Sequence, residues 1–388
     1  MAKPLDYFFH FNSKRFGTNF QEFTRNWDAA FSMATSARDL SKIFCFAAQV
    51  VGVGNKKLLF KTDSQQLHAR NFMISKTVAW QEKILGCEIE PTAGDVFRAF
   101  DAYNLLTTLP SEDFSRFGLK KSKEQMHTLG PNQFIYFSKY LTNLAIYPGD
   151  DWIKSWWSEI HQVIGEMEQA QIYHILRAVS IFDCLRPADI KTPSPTEEIG
   201  HMILDGIEEI TPKGETLTLP SEVYFAAAWF GRDFVKDHRN QMEHNCHSRY
   251  ERYFHDAVFA LKGTESADVV IKGMDHTLDL SFIFHNVAVA FQLDGFSHFI
   301  GDDRNGVMHY DGPTRFQSAL IKKMMPEDMR VLRLPYSMSR TPLNNSQILQ
   351  EMLENGSRQP AGVYVAHAAN DVRPIEEPNA WSLSLKMA

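Results

Sequence analysis

The chain has 388 residues, room for two or three domains of ordinary size. It is 44% hydrophobic with 29 Phe, 12 Tyr and 7 Trp, which excludes wholesale disorder and supplies a large aromatic core. Against 47 Asp+Glu stand 40 Lys+Arg, a formal charge of -7, which argues against a polycation coating nucleic acid or anionic lipid but leaves room for a local basic face.

Residues 1–30 read as a Phe-rich N-terminal extension, of which residues 1–27 carry Lys3, Lys14, Arg15 and Arg25 against Asp6 and Glu22. This composition suits an ordered arm, or an organelle-targeting arm, and lacks the pattern of a secretory signal. The longest apolar stretch, Ile43 to Gly54, contains Gln49 and two glycines and reads as a core helix. It falls short of the ~20 apolar residues needed to cross a bilayer. Gly52-Val53-Gly54 lacks the spacing of a dinucleotide fingerprint.

Residues 31–195 read as an α-helical repeat domain. Phe97, Phe100, Asn104 and Leu105 have helical spacing, and Pro110 stops that helix. The next runs from about Gln133 to Ile146 on Phe137, Tyr140, Leu141 and Leu144, and Pro148-Gly149 ends it. Trp152, Ile153, Trp156 and Trp157 begin a partner helix. Their spacing favours packing over the stacking of bases. A further helix runs from Ile172 to Phe182 and stops before Pro187. Ile135-Tyr136 aligns with Ile172-Tyr173 at an offset of 37, and Asp113-Phe114 precedes Asp151-Trp152 by 38. Repetition at this period marks stacked helical pairs.

Residues 196–220 read as a linker: breaker-rich Lys191–Pro195 precedes it, and a short acidic segment and then breaker-rich Thr211–Gly214 lie within it. Residues 221–355 read as a compact α/β domain with a mixed sheet, and 356–388 as an irregular tail. Tyr224–Val235 is expected to be helical, as is the run of Tyr250, Phe254, Ala257, Val258 and Leu261. Extended runs follow at 268–272, 278–284 and 287–293; then a helix over 314–325, a strand over 331–336, and a helix capped by Asn344 or Asn345. Cys45, Cys87, Cys184 and Cys246 lie far apart, as expected of reduced thiols. His238, His244, Cys246, His247 and His255 cluster without standard zinc spacing.

One hairpin can be registered by hand. A two-residue turn at His285-Asn286 pairs Phe284 with Val287, Phe282 with Val289, Leu280 with Phe291 and Leu278 with Leu293. All eight are apolar, so that face packs into a core. The other face carries Ile283–Ala288, Ser281–Ala290 and Asp279–Gln292, with Asp294 pointing the same way. Asp279, Gln292 and Asp294 therefore converge at one end. Nucleases of the PD-(D/E)XK architecture place an Asp on one strand and (Asp/Glu)-x-Lys on the next to hold Mg²⁺. Here the second carboxylate is the amide Gln292 and the lysine is Asp294. The pattern predicts a scaffold that keeps the fold without the chemistry. The alternative is an Mg²⁺-dependent RNA or DNA endonuclease using Asp279 and Asp294.

The run from Val287 through Asp294-Gly295-Phe296-Ser297-His298-Phe299, then Thr314-Arg315 ahead of Lys322-Lys323, then Arg330 to Pro335-Tyr336, resembles the RAP domain. That family's strand ends in Glu-x-Asp-Gly-Pro-x-His-Phe; this chain has Gln292 for the Glu and Phe296 for the Pro. The resemblance spans roughly residues 245–340. It implies a restriction-endonuclease-like fold associated with RNA, C-terminal to octotricopeptide-like helical repeats, in a mitochondrion or similar organelle.

Arg315, Ser318 and Lys322 share one face of the 314–325 helix, flanked by Lys323 and followed by Arg330 and Arg333. They form a candidate phosphate-contacting patch, with a solvated helix face as the alternative. His298 either contacts RNA or hydrogen-bonds within its own loop. The expected whole is an α+β multidomain protein: a solenoid-like helical domain, then a RAP-like α/β domain. The expected function is non-catalytic binding of rRNA or structured RNA, as a ribosome component or an assembly or RNA-stability factor. The expected partners are that RNA and other proteins of a ribonucleoprotein, with no membrane span and no cofactor. A protein-binding scaffold is the remaining alternative.

Overall fold

Short polar residues set the helix starts of the first half. In the computed structural model Ser36 accepts from the backbone N–H of Asp39 (3.1 Å) and opens α2 (Ala37–Val51), after α1 (Phe20–Met33). The model describes residues 20–52, 63–209, 219–232, 254, 256–261, 264–266, 270–271, 276–302, 307–335, 346–377 and 382–384. The protein is α+β: among these residues it has 13 helices, most of them N-terminal, and a C-terminal mixed sheet with the last two helices between its strands. The described residues fall into two units, one drawn from 1–175 with 300–305 and one from 176–299 with 306–388.

In the first unit α3 (Asp63–Ser75) and α4 (Thr77–Leu85) lead to α5 (Ala93–Leu106), α6 (Glu112–Glu124), α7 (Pro131–Asn143) and α8 (Asp150–Val163). Then comes α9 (Gln169–Leu185), which runs on into the second unit. The starts of α5, α7 and α9 are 38 residues apart, as are those of α6 and α8. Each of the three leading helices is capped alike. The side chains of Asp95, Gln133 and Gln171 accept from the backbone N–H groups of Thr92, Gly130 and Glu168, at 3.0, 2.9 and 2.9 Å. Buried positions follow the same step: Ala99, Phe137 and Ile175, then Tyr103, Leu141 and Val179. The offset of 37 read from Ile135-Tyr136 and Ile172-Tyr173 thus runs one residue short of the caps.

Aromatic rings fill this unit. Trp80 stacks on Phe44 with centroids 4.3 Å apart and meets Phe114 edge-on at 5.4 Å. Its indole N–H donates to the Leu40 carbonyl (2.9 Å). Trp152 and Trp156 are buried, donating to Ser122 Oγ (3.0 Å) and the Phe134 carbonyl (3.2 Å). Packing, not base stacking, uses these two rings.

The second unit continues through α10 (Pro195–Glu209) and α11 (Ser221–Trp229). Its strands begin with β1 (Thr264–Ser266), β2 (Val270–Ile271), β3 (His276–Thr277), β4 (Leu280–Phe284) and β5 (Val287–Asp294); after β6 (Phe299–Asp302), whose residues 300–302 belong to the first unit, comes β7 (Val307–Tyr310). There follow α12 (Gly312–Met324), β8 (Arg330–Pro335), α13 (Ser346–Ser357), β9 (Gly362–Ala368), β10 (Asp371–Pro374) and β11 (Ser382–Ser384). Six strands form one sheet in the order β1-β4-β5-β8-β9-β10. The β5–β8 and β8–β9 pairs are parallel and the rest antiparallel.

The hairpin β4–β5 has the register read from sequence over its whole ladder, Phe284–Val287 to Leu280–Phe291. His285 and Asn286 both take positive φ, 48° and 66°, as a two-residue hairpin turn requires. One face of the sheet packs Phe282, Phe291, Leu332 and Leu334 against Leu349, Met352 and Leu353 of α13. The other packs Ala290, Val331, Val363 and Val365 against Phe316, Leu320 and Ile321 of α12. Leu278 joins this second core rather than the first, because the chain bends at Asp279 before β4 begins.

Two segments differ from expectation. Residues 196–220 contain α10, which starts at Pro195, a residue preorganised for the first helical turn. The tail beyond residue 356 holds β9 and β10, which complete the sheet. β9 is buried along nearly its whole length and so lacks the alternation that marks a half-exposed strand. The His238, His244, Cys246, His247 and His255 cluster, Tyr250, Tyr336 and the Asn344 and Asn345 caps lie outside the described residues. Among the described residues no helix is long and apolar enough to cross a membrane. Cys45, Cys87 and Cys184 are free thiols.

Candidate functional site: a buried ion pair behind an open cleft

The polar end of the hairpin receives its partners from β8 and α12. Parallel pairing of β5 with β8 sets Gln292 opposite Arg333. The Arg333 side chain therefore lies between Gln292 and Asp294, on the face covered by α12. Its Nε donates to Asp294 Oδ2 (2.9 Å) and one terminal nitrogen donates to Asp294 Oδ1, a two-pronged ion pair. The other terminal nitrogen donates to Ser318 Oγ on α12 (2.9 Å). Both charged side chains are fully buried.

Asp294 also holds His298, one helical turn further along. His298 Nδ1 lies 3.2 Å from Asp294 Oδ1 and 3.1 Å from Thr314 Oγ1. The His298 carbonyl accepts from the Asp311 N–H (3.0 Å), and the Asp311 carboxylate caps α12 by accepting from the Thr314 N–H (2.9 Å). The imidazole is thus fixed by a carboxylate below it and by the start of α12 beside it.

These contacts set the charges. Burial pushes the Asp294 carboxyl up, but the Arg333 charge and hydrogen bonds from His298 and Arg333 outweigh it, leaving it below its ordinary 3.8. Burial works against the His298 cation, yet the hydrogen bond and charge of Asp294 prevail and hold it above its ordinary 6.5. Burial raises Asp311, and the Thr314 hydrogen bonds offset only part of that rise. A depressed carboxylate stabilises the fold above its unfolded pKa, near 3.8, and loses that contribution as pH falls through the folded value. A raised imidazole contributes fully below about 6.5 and loses its contribution as pH rises through the folded value. Denaturant titrations across pH are therefore expected to show the second unit losing stability above pH 6.5, and His298→Gln to remove that part of the loss. An unchanged alkaline limb in His298→Gln would contradict the assignment.

The expected site residues distribute differently from the sequence reading. Asp279 and Gln292 do meet: Gln292 Nε2 and the Leu293 N–H donate to Asp279 Oδ2, at 2.7 and 2.6 Å. Asp294, however, faces a guanidinium. A divalent cation there would displace or repel Arg333, so the carboxylates read as Mg²⁺ ligands do not fit that role. Among the described residues no group of three or more His, Cys, Asp or Glu is placed to hold a metal ion.

The basic patch is likewise dispersed. Arg333 is buried in its ion pair and cannot reach a phosphate. Arg315 is partly buried, its Nε donating to the Tyr310 carbonyl (3.0 Å), and burial lowers it to about 10. Lys322 pairs with Glu376; Lys323 donates to the Trp229 carbonyl and sits 5.4 Å from that indole ring. Arg330 Nε donates to the Gln359 carbonyl (2.9 Å). Ser318, placed on the same face as Lys322 by sequence, is buried and serves Arg333. Lys322 and Lys323 keep exposed surface for a polyanion.

In front of His298 lies an open cleft of about 370 Å³. Arg177 of α9, Ser221 and Glu222 at the start of α11, and Ser297, His298 and Asp311 line it. Phe225, Pro313 and Phe316 supply apolar wall. Sequence reasoning found only His298 among these. Asp311-Gly312-Pro313-Thr314 is a legible helix start; nothing in the sequence marks Arg177 or Glu222, which chain folding brings from over a hundred residues upstream of Asp311 and from about ninety.

No family model matches the chain, and no curated protein matches it.

Proposed function

We propose that the chain is a non-catalytic RNA-binding protein of a mitochondrion or similar organelle. In this reading a helical-repeat unit precedes a RAP-like α/β unit, and together they hold rRNA or another structured RNA within a ribonucleoprotein. The observation that carries the reading is the recurrence of capped helices at 38 residues ahead of a sheet whose β5 runs into Asp294-Gly-Phe-Ser-His-Phe299. Stacked helical pairs present long surfaces suited to extended ligands. The commitment of Asp294 to Arg333 favours binding over Mg²⁺-dependent cleavage. A net charge of -7 directs contact to restricted basic positions such as Lys322, Lys323 and Arg330 rather than to a general coat.

Filter binding of the full chain to structured RNA across a salt series tests this. Replacing Lys322 and Lys323 by Glu is expected to weaken binding by about tenfold or more and to lower the salt slope by roughly one to two. Affinity and slope identical to wild type would remove the patch from the interface. Failure to bind any RNA at low salt would overturn the reading.

A further inference from the structure

The cleft in front of His298 has a composition that its neighbours do not share. Arg315, Arg330 and Arg333 all donate to protein acceptors. Arg177 lines the cleft half-buried and, among the described residues, has no hydrogen-bond or ion-pair partner. A half-desolvated guanidinium without an acceptor among the described residues is poised for an external oxyanion, which it can grip with two parallel N–H donors. His298 lines the same cleft, held in place by Asp294 and Thr314 through Nδ1. Ser221, whose hydroxyl donates to Glu222 (3.4 Å), and Ser297 add exposed hydroxyls to the same lining.

The remaining lining narrows the ligand. Glu222 is half-buried in the lining, and a second anionic group there would be repelled, whereas a sugar diol would find an acceptor. Phe225, Pro313 and Phe316 offer an apolar surface of the kind on which a base can lie. A volume of about 370 Å³ is at the small-ligand end of binding clefts. Asp311 also lines the cleft, its carboxylate accepting from the Thr314 N–H and its pKa raised by burial. A phosphate on Arg177 and His298, a ribose on Glu222 and a base on the apolar wall use the rest of the charged and apolar lining.

We propose that this cleft binds a single nucleoside monophosphate group, gripped by Arg177 and His298. The proposal deepens the RNA-binding reading, on which the RNA-borne source of the group rests; a free nucleotide carries the same chemistry.

Calorimetric titration of the full chain with AMP, GMP and UMP, against adenosine and phosphoserine, tests it. Saturable binding of at least one monophosphate is expected. Adenosine and phosphoserine are each expected to bind at least about tenfold more weakly than that nucleotide. Arg177→Ala is expected to weaken nucleotide binding by about tenfold or more, and Arg177→Lys by less. Because Arg177 has no partner among the described residues, its thermal unfolding midpoint should stay at the wild-type value, which separates lost binding from lost folding. No saturable binding by any of the three nucleotides or by a 5′-phosphorylated RNA oligonucleotide overturns the proposal. So does phosphoserine binding as tightly as the nucleotides, or Arg177→Ala binding them as wild type does. Oligonucleotides with 5′-phosphate, 5′-hydroxyl and 3′-phosphate ends distinguish an RNA terminus from a free nucleotide. Loss of nucleotide binding with long-RNA binding intact would refute this cleft alone; nucleotide binding without any RNA binding would refute the RNA reading alone.

Discussion

Arg333→Ala is expected to destabilise the second unit by about 3–5 kcal/mol, because it strands the Asp294 carboxylate in the interior. Two fully buried charges that meet through two hydrogen bonds cost little as a pair and much when one is removed. The substitution also takes the donor from Ser318 Oγ and opens space beneath α12. Asp294→Leu is expected to cost a similar amount, since it leaves the guanidinium unpaired. The double variant Asp294→Leu, Arg333→Met should recover most of the loss, as an apolar pair of similar volume needs no counter-charge. Urea unfolding of all four proteins closes this cycle. Additive effects, or a cost under about 1 kcal/mol for Arg333→Ala, would show that the pair is not buried as described.

The second large effect lies in the helical unit. Trp80→Ala is expected to cost about 3–5 kcal/mol, the range for removing a fully buried large aromatic side chain. It removes the stack on Phe44 and the edge contact to Phe114, and it leaves the Leu40 carbonyl without its indole donor. Trp80→Phe keeps an apolar ring and should cost about 1–3 kcal/mol, for lost volume and the lost indole hydrogen bond. Circular dichroism during urea unfolding reads both. Equal costs for the two variants would mean that ring packing contributes nothing beyond the hydrogen bond.

The two predictions test elements of very different legibility. The β4–β5 register was readable because apolar side chains pair on one face and a one-residue slip exposes them. Helix starts were readable near Pro131 and Asp150, where proline, glycine and acidic residues punctuate the chain. β9 was not, because a strand covered on both faces carries no alternation, and its pairing with β8 joins residues far apart in sequence. α10 was missed because Pro195 reads as a breaker when it stands as a starter.

The site was half legible for the same reason. The contact of Asp279 with Gln292 is legible because the hairpin's pairing is local, whereas Asp294 turns to Arg333. In sequence Arg333 reads as part of a basic patch because its own strand shows only that it alternates with Leu332 and Leu334. The parallel neighbour that turns it inward is set by the crossover from β5 to β8. The positive charges nearest the motif are therefore partly structural. Arg333 anchors Asp294, Asp294 anchors His298, and the cleft gains a fixed imidazole in the same lining as Arg177.

Ultraviolet crosslinking of the full chain to RNA, followed by mapping of the crosslinked peptides, addresses RNA binding most directly. Crosslinks are expected in the capped helical pairs between residues 93 and 163 and in the segments carrying His298 and Lys322-Lys323. Absence of crosslinked RNA, or crosslinks confined to segments outside both regions, would contradict the function proposed for this chain.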